Sequence, residues 1–116
     1  MYVDGFLMAV KTARKDDYIR VARVAADVFK ENGALSVVEA WADDVAWGEL
    51  TSFPRAVQLE ADETCVFSWI TYPDRATRDA CMKATMEDER IKGDMANMPF
   101  DGKRMIWGGF EAIVEA

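Results

Sequence analysis

The C-terminal stretch Met98-Pro99-Phe100-Asp101-Gly102-Lys103-Arg104-Met105-Ile106-Trp107-Gly108-Gly109-Phe110 constrains the fold more than any other part of the chain. A polar turn over 100–103 feeds a strand that carries two adjacent glycines. The N-terminal Tyr2-Val3-Asp4-Gly5-Phe6 is also strand-like and has the same Gly-Phe step as Gly109-Phe110. With strands at both ends, and helices and further strands between them, the chain reads as β-α-β-β-α-β.

The intervening pattern supports this order. Residues 2–10 are apolar on both alternating faces, Asp4 excepted, as expected of a central strand covered on both sides. Residues 16–32 repeat Tyr18, Val21, Ala22, Ala25, Val28 and Phe29 at helical spacing. Acids in the first turn suit the helix dipole, and Gly33 follows where a left-handed cap needs no side chain. Residues 35–42 read as a strand, 43–53 as a loop, and 55–72 as a hairpin whose second arm is central. Asp74 is a candidate N-cap for a helix running to about Glu89, with a small-residue stripe of Ala76, Ala80, Cys81 and Ala84. The polar segment 87–98 is expected to be a mobile lid or a partner-contact loop. The last strand is expected over about 103–114. The order is that of a ferredoxin-like α+β protomer with an antiparallel sheet and two helices on one face. It fills a single domain over residues 1–116.

Two helices cover only one face of a four-stranded sheet. The alternation assigns Tyr2, Phe6, Met8, Trp41, Met105, Trp107 and Ile113 to the other face. A contiguous apolar face of that size is expected to be covered, most simply by a second copy of the chain. A homodimer follows.

Composition excludes several functions. The net charge of −7, with no basic run longer than Lys103-Arg104, opposes nucleic acid and acidic membrane surfaces. No run approaches the roughly 18 apolar residues of a membrane span, and no secretory leader is expected. Cys65 and Cys81 are read as reduced and buried, which makes the cytoplasm the expected compartment. Histidine is absent. The commonest metal ligand and neutral-pH base are therefore missing, as are the Ser-His-Asp and Cys-His nucleophile systems. No metal and no cofactor are expected, and acid–base work would fall to Asp, Glu, Tyr, Lys or Arg.

Tyr2-Val3-Asp4-Gly5-Phe6, Thr51-Ser52-Phe53-Pro54-Arg55-Ala56-Val57, Val66-Phe67-Ser68-Trp69 and the stretch 98–110, in that order, resemble the bacterial YbaA-like family, domain of unknown function 1428. The resemblance spans nearly the whole chain. It implies a member of the dimeric α+β barrel superfamily, in which ferredoxin-like protomers pair through their open sheet faces. That superfamily includes cofactor-independent monooxygenases, haem enzymes, isomerases and proteins without known catalysis, so the resemblance implies the fold and leaves the activity open.

The residues themselves offer a few polar candidates. Asp4, alone in an apolar strand, is either a base with a raised pKa or a structural carboxylate paired with Arg55, Lys103 or Arg104. Arg55 follows a rigid Phe-Pro step and would clamp an oxyanion, or pair with Asp4, Glu39 or Asp101. Trp69, Tyr72 and Trp107 would line an aromatic pocket, or simply pack in the core or dimer interface. Ser68 lacks a histidine base. Turn residues 101–104 could form an anion-binding edge, and Gly108-Gly109 a bulge or a point of close approach. Two readings stay open. One is a homodimeric domain that binds a small aromatic or acidic molecule in a sheet–helix pocket, extending to a cofactor-independent oxygenase or isomerase. The other is a non-catalytic interaction or stress-associated module, with Trp47 and residues 95–98 as contacts.

Overall fold

In a computed structural model that describes residues 1–95 and 97–116, the chain forms one antiparallel sheet with strand order β2-β3-β1-β4. The strands are β1 (Tyr2–Lys11), β2 (Ser36–Trp41), β3 (Glu63–Tyr72) and β4 (Ile106–Glu111). The helices are α1 (Lys15–Glu31), α2 (Phe53–Ala56), α3 (Arg75–Glu87) and α4 (Glu89–Met95). This is the ferredoxin-like plan, with the central pair β1 and β3 in register over their full length, from Tyr2 opposite Tyr72 to Lys11 opposite Glu63.

Local signals account for both long helices. α1 carries Asp16 and Asp17 in its first turn and buries Tyr18, Val21, Val28 and Phe29. Gly33 follows it at φ 114°, a backbone conformation open to glycine and strained for other residues. Asp74 caps α3 by accepting the Thr77 N–H at 2.7 Å. The small-residue stripe is rotated, however: Cys81 and Thr85 are buried, while Ala76 and Ala80 are exposed.

Other expectations are corrected. There is no hairpin over 55–72. Residues Phe53–Ala56 form the short helix α2, because the Ser52 hydroxyl accepts the Arg55 N–H at 3.1 Å and Pro54 sits in the first turn. The segment 87–98 is not all loop, since α4 occupies Glu89–Met95 and buries Ile91. β4 is shorter than the expected 103–114.

The larger correction concerns the faces of the sheet. Met8 and Val10 pack with Tyr18 of α1, and Tyr2 and Phe6 join the cluster of Phe29, Tyr72 and Cys81. Trp41 and Met105 also join the Tyr18 cluster. These residues are on the helix-covered side, not the open one. Trp107 lies opposite Phe6 and stacks on it, so it shares that side, exposed on the edge strand. Ile113 lies beyond β4 and is exposed. The open face instead carries Leu7, Ala9 and Cys65, with Val38, Phe67, Ile106 and Phe110 exposed upon it. Both faces of β1 are apolar, so alternation groups its residues correctly but does not say which group meets the helices. The open face is nonetheless oily, as the argument for a second copy requires.

Candidate functional site: a methionine-lined cavity around Glu39

The helices do not close fully on the sheet. Between α1, α3, α4 and the helix-covered face lies a cavity of about 580 Å³, within the size range of small-molecule sites. Its walls include Phe6, Val21, Phe29, Ile70 and Phe100. Met8, Met82, Met86, Met95, Met98 and Met105 also line it, which is six of the seven methionines in the sequence. Thioether side chains are flexible and polarizable, and surfaces rich in them accommodate varied apolar ligands.

Among the described residues, one charged side chain lines this space, Glu39. It lies on β2 directly opposite Ser68 of β3, on the same side as Val37 and Trp41. The Tyr18 hydroxyl, delivered by the first turn of α1, donates to Glu39 Oε2 at 2.6 Å. Protein packs around part of the carboxylate, but Glu39 stays exposed to solvent and lines the cavity. Burial pushes its pKa above the usual carboxylate value, while the Tyr18 and Ser68 hydroxyls pull the other way. Burial and the neighbouring Glu39 charge push the Tyr18 phenol far up, so it remains a proton donor at neutral pH. Glu39 meets no Lys or Arg among the described residues. Chemically, the pair is a carboxylate able to take a proton from a bound molecule and a phenol that holds it in place, inside apolar walls.

The residues singled out from sequence are scattered. Asp4 is wholly buried, but its partner is Arg78 of α3, not Arg55, Lys103 or Arg104. Arg78 Nε donates to both Asp4 oxygens at 3.0 and 3.2 Å, and Tyr72 Oη donates to Oδ2 at 3.0 Å. Tyr72 is thereby a structural donor, its own pKa raised by burial and by the Asp4 charge. Gly109 lies opposite Asp4 in an unbroken β1–β4 register, so there is no bulge. Its role is close approach: a side chain there would collide with Tyr2 Oη and Arg78 Nη2.

Arg55 is exposed on α2, where its guanidinium binds the carbonyls of Trp47 and Gly48 and lies over the Trp47 ring. It clamps backbone, not ligand. Trp69 faces the open side of the sheet beside Phe67, the opposite side from Tyr72. Trp69, Tyr72, Trp107, Asp4 and Arg55 therefore do not form one pocket. Arg104 is no anion-binding edge either: both of its terminal nitrogens grip Glu63, at 2.7 and 2.6 Å, and its Nε binds Asp101. Met95 and Met98 line the cavity, while Trp47 is half exposed.

Glu39 is the candidate site residue that sequence reasoning passed over. The available signal was the one applied to Asp4, a carboxylate inside an apolar strand.

Comparison with known proteins agrees with this architecture. The chain is 53% identical over 114 residues to the uncharacterized protein YbaA of Escherichia coli K12, covering 98% of this chain and 97% of that one. The fold is similar to a crystal structure of a dimeric ferredoxin-like protein from an uncultured marine organism, with TM-score 0.66, 7% identity and coverage of 100% and 98%. It is also similar to an uncharacterized NIPSNAP domain protein from Burkholderia xenovorans, with TM-score 0.62, 11% identity and the same coverage. Residues 1–102 match the profile of a family described as a protein of unknown function, DUF1428, and the chain belongs to that family.

Proposed function

We propose that this protein is a homodimeric, cytoplasmic small-molecule-binding domain whose ligand enters the methionine-lined cavity and is held by Glu39. The observation that carries the reading is a single carboxylate in an apolar cavity of about 580 Å³. Glu39 is open to solvent there and has no cation among the described residues, so a ligand entering the cavity meets an unpaired carboxylate. The acid–base pair Glu39–Tyr18 also suits histidine-free proton transfer of the isomerase kind. An aromatic ligand fits the walls. An acidic ligand does not, because the one charged group it would meet is itself a carboxylate.

The dimer rests on the open face. Val38, Phe67, Ile106 and Phe110 leave an exposed apolar patch on it, and the similar fold from the marine organism is described as dimeric. Pairing open faces would leave the cavity free on the far side of each sheet. Val38→Asp or Phe67→Asp should convert a dimer to a monomer in sedimentation equilibrium. A wild-type monomer at micromolar concentration would end this part of the proposal. The free, buried Cys65 and Cys81 fit a reducing compartment.

For the cavity, the test is binding of the neutral fluorophore N-phenyl-1-naphthylamine. Fluorescence should rise with wild-type protein and be lost in Ala22→Phe, which fills the cavity wall, while circular dichroism stays native. Absence of binding, or binding unchanged in folded Ala22→Phe, would refute the site.

A further inference from the structure

The charge balance of the cavity says more about its occupant than its shape does. All the walls are apolar or thioether except Glu39, Tyr18 and Ser68. Neither hydroxyl neutralises a charge. Several cations of the surrounding helices are engaged elsewhere: Arg20 with Asp94, Arg90 with Glu31 and Asp88, and Lys15 over the Trp41 ring. None of them lines the cavity. Compare Asp4, a fully buried carboxylate on the same sheet face, which has Arg78. The fold supplies a guanidinium to the buried carboxylate and leaves the exposed one, Glu39, on an apolar cavity wall with no cation among the described residues.

The remaining lining suits a positive group. Phe6, Phe29, Phe100 and Tyr18 present aromatic surface, whose electron-rich faces attract ammonium ions, more strongly when water is excluded. The thioether sulfurs are weak acceptors and polarizable. The net charge of −7 also draws organic cations to the protein and repels anions. The geometry points to an organic cation as the ligand: a lipophilic amine whose apolar body fills the methionine-lined cavity and whose ammonium group pairs with Glu39.

This rests on the cavity being a ligand site, as proposed above. Its test separates the two claims. Naphthylethylamine, naphthylethanol and naphthylacetate share an apolar body and differ in the polar end. Their affinities for the intact protein are to be measured by calorimetry, alongside N-phenyl-1-naphthylamine binding. The amine should bind at least about tenfold more tightly than the alcohol, and the carboxylate should bind most weakly. Glu39→Gln keeps an acceptor for Tyr18; it should cut amine affinity about tenfold or more and change alcohol affinity less than about threefold. If the alcohol matches the amine in wild-type protein, or Glu39→Gln leaves the amine unaffected, the cationic ligand is wrong while the cavity stands. If neither the three compounds nor the fluorophore binds, both claims fall. The wild-type comparison decides the matter even if Glu39→Gln does not fold.

Discussion

Asp4 and Glu39 both lie on the helix-covered face of this sheet, and their surroundings differ in kind. Asp4, on β1, is completely buried and satisfied by Arg78 and Tyr72. Glu39, on β2, has a phenol donor, no cation, and a cavity in front of it. The first is a closed structural unit, in which both carboxylate oxygens have donors within the fold. The second is exposed on an apolar cavity and has no cation among the described residues. A carboxylate open to a cavity can meet a ligand that a fully buried and paired one cannot, so the contrast makes Glu39, and not Asp4, the candidate site residue.

The most severe way to test this contrast is Asp4→Ala. Removing one partner of a buried ion pair strands the other, and the expected loss is about 3–5 kcal/mol in chemical denaturation. A loss below about 1 kcal/mol would mean that Asp4 is not the structural member of the pair. Gly109→Ala should cost less, about 1–3 kcal/mol, because the added methyl displaces the Tyr2 and Arg78 tips that cover Asp4. Gly108→Ala is its control. That methyl would meet the Phe110 ring on the opposite face at ordinary contact distance, and stability should change little.

Acid–base behaviour sharpens the comparison further, with a third carboxylate as the reference. Arg104, gripping Glu63, holds the Glu63 pKa below its ordinary 4.5. The folded state then binds fewer protons than the unfolded one, so this stabilisation is present above pH 4.5 and lost as pH falls through the depressed value. Glu39 has the opposite sign. Its folded pKa is raised above 4.5 by burial, so its contribution is fully present below pH 4.5 and lost as pH rises through the raised value. Denaturation across a pH series should show Arg104→Met flattening the acid limb. Glu39→Gln should remove the decline above pH 4.5 and give a small rise in melting temperature at neutral pH. A fall in melting temperature for Glu39→Gln would place Glu39 with Asp4 as a structural group.

How much of this was legible beforehand depended on distance along the chain. The expected helix over 16–32 and the Asp74 cap matched α1 and α3 closely, because turns, caps and helical periodicity involve residues a few positions apart. The α2 helix was also written locally, in Ser52-Phe53-Pro54, but alternation around Val57 and Leu59 masked it. Asp4 stood out as a polar residue in an apolar strand, yet its partner lies 74 positions away, beyond any periodic signal. Glu39 carries the same mark as Asp4, yet the sequence offers it only as a partner for Arg55. Trp69, Tyr72 and Trp107 are prominent as aromatics, but aromatic content alone does not say which side of a sheet a ring occupies.

The amino-acid sequence on its own determined the order of strands and helices, the long helices and their caps, the absence of histidine chemistry and the oiliness of both sheet faces. Those follow from short-range sterics and from composition. Tertiary packing alone decided which face the helices cover, which carboxylate receives an arginine and which is left facing a hollow. Those outcomes depend on a one-residue choice of face in apolar strands, and on where helices distant in the chain come to rest against them.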